Sequence, residues 1–121
     1  MLIKQNEYLE VYEYTGIGYE RTMNFESWRV SFLHHEERFD RITKLERHAL
    51  TDEVFVLLKG SATLILGEEQ CKEIMQPYKI YNVKKNMWHA IKVSQDAKVL
   101  IVENHNTSLD NTFYLEIPVI E

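Results

Sequence analysis

Short runs of β-branched and aromatic residues alternate along the chain with turn residues, and helical periodicity is weak. Runs of this kind at regular short intervals predict β-strands. For the first fifteen or so residues the pattern fits either an edge strand or a short helix. Further strands are predicted at 27–33, 53–58, 62–66, 79–83, 88–93, 98–104 and 112–117, with a hairpin turn at 59–61. This spacing of strands favours an all-β barrel or sandwich.

The strand predicted at 53–58 is apolar on both of its faces. Side chains alternate between the faces of a strand, so positions 53, 55 and 57 share one face and positions 54, 56 and 58 share the other. One face belongs to the barrel interior. The other face needs a cover, which is the 27–33 segment, the N-terminal segment or a second subunit. This pattern favours a homodimer, with residues 1–26 as an edge strand or dimer arm.

Composition limits the class of protein. The 121 residues fit a single domain, and 45% of them are hydrophobic. The net charge of −5 and the lack of a basic cluster argue against a nucleic-acid partner. No apolar run is long enough to span a membrane, and the first residues contain no signal-peptide core. The single cysteine cannot form an intrachain disulfide, and we therefore expect a cytoplasmic location.

Histidine and glutamate residues interrupt the apolar segments at spacings that suit a set of metal ligands. Glu46 and His48 are two residues apart and share a face of an extended segment, and Glu53 follows after a bend. His89 shares a face with apolar Ile91 and therefore points inward. Two imidazoles and one or two carboxylates suit a first-row divalent metal. A hydrogen-bonded His–Glu pair at a barrel rim fits the same spacing.

The segment HALTDEVFVLLKG resembles the first motif of the small single-domain bacterial cupins. That motif runs Gly, five residues, His-x-His, three or four residues, Glu, six residues, Gly. His48 takes the position of the second His, Glu53 that of the Glu, and Gly60 that of the closing Gly. The second motif runs Gly, five residues, Pro-x-Gly, two residues, His, three residues, Asn, and His89 takes its His. The resemblance covers residues 40–104.

The chain departs from both motifs. Glu46 replaces the first His of the family, and the other replacements are Asp40 in the first motif and Tyr78, Lys84, Asn86 and Val93 in the second. The resemblance implies a cupin-type double-stranded β-helix, a jelly-roll barrel, over residues 1–121. It also implies a metal held by His48, Glu53 and His89, with Glu46 as a candidate fourth ligand. Iron, manganese, nickel and zinc suit such a set.

The resemblance permits two functions and leaves open whether the protein is an enzyme. The first is a metal-binding cupin that binds or acts on a small polar metabolite of the sugar or hydroxy/keto acid class, with Glu46 as a candidate general base. The second is a metal-free binding or regulatory module without catalysis. The residues expected to line the pocket are Phe55, Tyr81 and Ile91, and Glu103 is expected near the barrel mouth. The histidines at 34, 35 and 105 are expected at strand ends or in loops.

Overall fold

A computed structural model describes residues 1–14 and 16–121 and confirms the all-β prediction. Two single 3-10 turns, Glu37–Phe39 and Leu109–Asn111, interrupt the strands. The twelve strands are β1 (Leu2–Gln5), β2 (Glu10–Tyr12), β3 (Tyr19–Phe25), β4 (Trp28–His34), β5 (Ile42–His48), β6 (Glu53–Lys59), β7 (Ala62–Leu66), β8 (Cys71–Ile74), β9 (Tyr81–Val83), β10 (His89–Val93), β11 (Lys98–Asn104) and β12 (Thr112–Ile120).

Two five-stranded antiparallel sheets form the body of the protein. One has the strand order β12-β5-β10-β7-β8 and the other has the order β3-β4-β11-β6-β9. Consecutive strands of the chain often lie in different sheets, as in a jelly roll. The inward residues of both sheets form the main core, in which Leu57, Leu64 and Val99 are at most 1% exposed. Alternation of buried and half-buried residues along β6, β10 and β11 places this core between the sheets.

The hairpin predicted at residues 59–61 is wrong. β6 pairs with β11 and β9, whereas β7 pairs with β10 and β8, so the turn carries the chain from one sheet to the other. Gly60 makes this crossing possible because its φ is +75°, and a Cβ there would lie 2.7 Å from the Cα of Ala97. A strand that is apolar on alternate positions does not by itself specify which neighbour it pairs with.

Three strands lie outside the segments that the sequence pattern marked: β3, β5 and β8. Charged residues dilute the apolar signal in β5 and β8, and β3 contains both Arg21 and Asn24. The N-terminal segment forms a separate two-stranded sheet, β1 with β2, rather than a helix. Within residues 1–26, β3 is the edge strand of the second five-stranded sheet.

The outer face of β6 lacks a full cover. Val54, Val56 and Leu58 are half-buried, whereas the inward residues of the same strand are buried. The β1–β2 hairpin pairs with neither large sheet, and all four residues of β1 are exposed. Among the residues that the structure describes, no helix has the length and apolar character needed to cross a membrane.

Candidate metal centre and ligand cavity

Three strands bring the predicted ligands together at one end of the barrel. β5 is extended up to His48, so Glu46 and His48 project to the same side. Glu53 is the first residue of β6 and is buried. His89 begins β10, where the register places it opposite Glu46 on β5. The fold therefore brings these four side chains together at one end of the barrel.

Glu53 lies at the centre of the group. Its Oε1 atom is 3.2 Å from His48 Nε2 and 3.0 Å from His89 Nε2. Glu46 lies farther out, with its Oε1 3.7 Å from His48 Nε2 and 3.9 Å from His89 Nε2. The Glu46 side chain is 40% exposed, whereas the side chains of the other three are at most 9% exposed. The group thus has a buried floor and an open side at Glu46.

The second nitrogen of each imidazole has its own partner. His89 Nδ1 lies 2.9 Å from the backbone carbonyl oxygen of Met87. A carbonyl only accepts hydrogen bonds, so Nδ1 carries the proton that it donates. In the neutral ring Nε2 then holds a lone pair that points at the Glu53 carboxylate. His48 Nδ1 lies 3.0 Å from the hydroxyl of Thr112, and this contact holds the orientation of that ring.

The charges of the group shift the pKa values of its members. Burial alone would lower the pKa of His89, but the hydrogen bond and the charge of Glu53 outweigh it and raise that pKa. The same balance raises the pKa of His48. Burial alone would raise the pKa of Glu53, but hydrogen bonds from the two histidines lower it. The carboxylate is therefore held in its charged form, beside rings that need either a proton or a cation.

The donor atoms fit a divalent metal. Atoms of Glu46, His48 and His89 lie within 4.8 Å of one another, and so do atoms of His48, Glu53 and Glu103. Imidazole nitrogens and carboxylate oxygens are the ligands that iron, manganese, nickel and zinc share. The hydrogen bonds at both Nδ1 atoms leave both Nε2 atoms directed at the same space, which is the arrangement of metal-binding histidines.

A cavity of about 310 Å³ opens at this group. Phe55 and Ile91, which were expected to line the pocket, do line this cavity. Tyr81 does not: its hydroxyl accepts a hydrogen bond from the backbone N–H of Gln76, and its ring lines a separate cavity. The volume is at the lower end of the range for small-molecule sites.

Cationic side chains also line the cavity, although the protein is acidic overall. Arg21, Arg38 and Lys44 reach it from β3, from the first 3-10 turn and from β5, and all three are exposed. Lys44 Nζ lies 4.1 Å from the centre of the Tyr114 ring, which also lines the cavity. Arg38 forms an ion pair with Glu36, which is not part of the cavity lining, whereas Arg21 and Lys44 make the cavity suitable for a ligand that carries a negative charge.

The cavity also contains a buried polar group, the Arg29–Glu103 ion pair, which the sequence pattern does not predict. Glu103, which was expected near the barrel mouth, is buried and forms an ion pair of 2.7 Å with Arg29. Tyr19 donates a second hydrogen bond, of 2.8 Å, to the same carboxylate oxygen. The alternation of side chains along β4 indicates that Arg29 points inward, because Arg29 shares a face with Ser31 and Leu33, which are both buried.

The remaining histidines lie away from this group. His34 ends β4 and its ring lies against that of Tyr14, with centroids 3.8 Å apart. His35 pairs with Asp40 at 2.8 Å, near the first 3-10 turn. His105 is exposed in the turn that follows β11.

Comparisons with known proteins identify the family and the fold of the chain. A family model described as auxin binding protein matches residues 25–116, which is most of the chain. This range contains all four candidate ligands. No curated protein matches the chain significantly in sequence.

Solved structures similar to this chain have low sequence identity, and two of the three described below are cupins. A cupin-2 domain protein from Shewanella frigidimarina is 17% identical, with a TM-score of 0.61, over 76% of this chain and 85% of that chain. An RmlC-like cupin with a double-stranded β-helix fold, from Methanocaldococcus jannaschii, is 19% identical, with a TM-score of 0.62, over 82% and 93%. A variant of Streptomyces PAC13 bound to uridine is 9% identical, with a TM-score of 0.67, over 93% of each chain. These similarities establish the cupin fold.

Proposed function

Because the chain belongs to the auxin-binding protein family, a family of cupin fold, we propose that it is a metal-binding cupin that binds or acts on a small polar metabolite. The proposed metal ligands are His48, Glu53 and His89, with Glu46 as the fourth. The metal is iron, manganese, nickel or zinc. The single domain spans residues 1–121, and the protein resembles the small bacterial members of the superfamily.

One observation carries the proposal: His48 Nε2 and His89 Nε2 both lie within 3.2 Å of the same carboxylate oxygen, Glu53 Oε1. Two electron-rich atoms at this distance repel each other unless a proton or a metal ion lies between them. A proton on each imidazole would place two positive rings, with centroids 5.3 Å apart, around one carboxylate oxygen, because His48 Nε2 and His89 Nε2 both point at Glu53 Oε1. A divalent cation held by Glu53, His48 and His89 would offset the charge of the carboxylate without a second positive ring.

A bound divalent metal would act as a Lewis acid toward an oxygen atom of the ligand. The protein residues supply the rest. Glu46, at the open side of the group, either completes the coordination or accepts a proton from the ligand. The apolar side chains of Phe55 and Ile91 exclude water from one wall of the cavity.

The cations at the cavity favour an acidic ligand within the sugar or hydroxy/keto acid class. Arg21 and Lys44 would attract a carboxylate group of the ligand. Similar proteins are also associated with small molecules: the family model describes an auxin binding protein, and a PAC13 structure contains uridine. They support a small-molecule ligand without identifying it.

Elemental analysis of the full-length protein, purified without added metal salts, tests the proposal. We expect about one equivalent of a first-row metal per chain in the wild type. His48→Ala and His89→Ala should each lose it while the fold is retained, as measured by circular dichroism. His105→Ala is the matched control, because this exposed histidine lies outside the group, and it should keep the metal.

A wild-type protein that takes up no metal, even after incubation with iron, manganese, nickel and zinc salts, would overturn the metal proposal. Equal metal content in His89→Ala and the wild type would do so as well. In the second case His89 would be a buried hydrogen-bonding residue, and its removal would lower the free energy of unfolding by roughly 1–3 kcal/mol.

A metal-free binding module is the second candidate, and the ion-pair geometry favours it specifically. With one histidine protonated, Glu53 already has a charged partner within 3.2 Å, so the group has a stable arrangement without metal. The replacement of the first motif histidine by Glu46 weakens the ligand set in the same direction. In that case the cavity would hold the metabolite through its cations and carboxylates alone.

A second copy of the chain is the partner that we propose for the outer face of β6. Val54, Val56 and Leu58 present an apolar row there, and the β1–β2 hairpin exposes further apolar side chains, including Ile3 at 50%. A two-stranded hairpin is marginally stable alone, and packing against a partner would stabilise it. Sedimentation equilibrium of the wild type and of a variant without residues 1–13 measures this: a monomeric wild type contradicts the proposal.

A further inference from the structure

Glu103 has a buried carboxylate oxygen without a partner. The side chain is 2% exposed and lines the cavity. Its Oε1 atom accepts hydrogen bonds from Arg29 Nη2 and from the Tyr19 hydroxyl, at 2.7 and 2.8 Å. Its Oε2 atom has no hydrogen-bond partner in the part of the chain that the structure describes. A buried charged acceptor that stays unpaired is unfavourable, so the fold maintains it for a reason.

The surrounding hydrogen bonds hold this oxygen in place. Arg29 lies opposite Glu103 in the β4–β11 register, and its Nη atoms also donate to the backbone carbonyls of His105 and Thr107. The guanidinium is therefore anchored at three points. Because Oε1 is bound on two sides, the carboxylate cannot turn to satisfy Oε2 without losing those bonds.

A second unpaired group lies in the same part of the cavity. The Thr107 hydroxyl is buried, lines the cavity and has no partner among the described residues. Its backbone carbonyl accepts from the same guanidinium that holds Glu103, at 3.4 Å from Nη2. One free acceptor and one free hydroxyl thus belong to residues that line the same cavity, and donor atoms of Glu103, His48 and Glu53 lie within 4.8 Å of one another.

We propose that Glu103 and Thr107 form a subsite that binds a neutral hydroxyl group of the ligand, next to the metal centre. This inference rests on the proposed function, because it assigns part of the ligand of the same cavity. The hydroxyl donates to Glu103 Oε2 and exchanges a hydrogen bond with the Thr107 hydroxyl. Arg29 and Tyr19 are positioning residues that hold the carboxylate.

The ion pair with Arg29 favours an uncharged donor in the subsite. Arg29 already offsets the charge of Glu103 across 2.7 Å, so Oε2 needs a hydrogen-bond donor rather than a second positive charge. Together with the cations at the cavity, the subsite selects a ligand that carries both a carboxylate and a hydroxyl, which is a hydroxy acid or a sugar acid.

Matched pairs of small acids test this subsite. Lactate with propionate, malate with succinate, and gluconate with its 2-deoxy analogue are titrated calorimetrically into the full-length protein, both zinc-loaded and metal-free. We expect at least one hydroxylated member to bind the wild type tenfold or more tightly than its deoxy partner. In Glu103→Gln this preference should fall to within twofold, because the amide can direct a donor instead of an acceptor at the hydroxyl. Glu116→Gln, on the exposed surface of β12, is the control and should keep the preference.

A readout that needs no ligand accompanies the titration. In Thr107→Val the unpaired hydroxyl is replaced by a methyl group, so the melting temperature of the ligand-free protein should stay equal or rise. A fall of several degrees would mean that the hydroxyl is satisfied by a structural water, and would overturn the proposal. The absence of any hydroxyl preference across the three pairs, or an equal preference in Glu103→Gln, would also overturn it.

Metal content separates the two proposals. Glu103→Gln should keep the metal that His48→Ala loses, and its loss in Glu103→Gln would make Glu103 a ligand rather than part of a hydroxyl subsite. A wild type without metal would overturn the proposed metal centre alone, because the hydroxyl preference is also measured on the metal-free protein.

Discussion

The two ends of the barrel are built from the same strands and differ in chemistry. β6 carries buried Glu53 at one end and fully buried Leu57 toward the other, and β11 carries Val99 and buried Glu103 in the opposite order. β10 likewise starts at His89 and ends at Val93. One end is a dry apolar core, while the other carries charges around a cavity of about 310 Å³. Burial of apolar area stabilises the first end, whereas the second end keeps polar groups buried at a cost.

This difference assigns the stability of the fold to the apolar end of the barrel and ligand chemistry to the polar end. Strand pairing continues unbroken from the apolar end to the polar end, as in the β11–β6 register from Val99 to Val102. The apolar end therefore holds the backbone that aims the polar side chains. Changes at the apolar end should affect folding, and changes at the polar end should affect metal and ligand binding more than folding.

The largest expected effect is at the apolar end. Leu57 is 1% exposed in the main core, and Leu57→Ala should lower the free energy of unfolding by about 2–5 kcal/mol through lost burial and a residual cavity. Urea denaturation measures this loss. The folded fraction should still bind metal in the wild-type ratio, because Leu57 is remote from the ligand atoms. Leu50→Ala, at a half-exposed loop position, is the control and should lose under about 1 kcal/mol.

A Leu57→Ala variant that folds with nearly wild-type stability would contradict the assignment of stability to that end. A variant that folds but no longer binds metal would show instead that the two ends are strongly coupled.

The second effect is the pH dependence of the metal-free protein. The folded pKa values of His48 and His89 are raised above 6.5, so their contribution is complete below pH 6.5 and is lost as the pH rises through the folded pKa values. The folded pKa of Glu53 is lowered below 4.5, so its contribution is complete above pH 4.5 and is lost as the pH falls through the folded pKa. Maximum stability is therefore expected between pH 4.5 and 6.5.

Denaturation of chelator-treated protein at several pH values measures this window. Stability should fall by roughly 1–3 kcal/mol from about pH 6 to about pH 8, on the scale of hydrogen bonds to charged groups. Burial, with the charge of Glu53, also raises the pKa of Glu103, whose contribution is complete below pH 4.5 and is lost as the pH rises through its folded pKa. The zinc-loaded protein should not fall in this range, because metal binding favours deprotonated ligands. A metal-free protein that gains stability above pH 7 would contradict the assigned geometry.

At the polar end, the sequence predicts the direction of a side chain correctly where the alternation along a strand decides it. Glu46 and His48 share a face because they are two residues apart, and His89 follows the parity of Ile91. The partner of each strand was harder to foresee: the turn at 59–61 looks like a hairpin because local residues do not encode which sheet a strand joins. Tyr81 has inward parity but lines another cavity, because its hydroxyl is held by the backbone at Gln76.

Arg29 and Glu103 show what sequence spacing leaves out. They are 74 residues apart, and only the pairing of β4 with β11 sets them opposite each other. The alternation in β4 would have indicated that Arg29 points inward, but a buried arginine is uncommon enough that parity alone is a weak signal. Its partner depends on the sheet order, which is a long-range property of the fold.

The smallest expected effect refines the comparison at the polar end. Burial and the charge of Glu103 raise the pKa of Tyr19 to about 12, so its hydroxyl is protonated and donates to Glu103 Oε1. Tyr19→Phe removes this donor, but Arg29 Nη2 still binds the same oxygen at 2.7 Å. The free energy of unfolding should therefore fall by only about 1 kcal/mol in urea denaturation, well below the loss in Leu57→Ala. Tyr78→Phe, at a side chain that is 78% exposed, should change the free energy of unfolding little.

If Tyr19→Phe matched the Tyr78→Phe control, the Tyr19 hydroxyl would contribute nothing to folding and Arg29 alone would position Glu103. A loss as large as that of Leu57→Ala would mean that polar contacts stabilise this end as strongly as burial stabilises the other, and the division between the two ends would not hold.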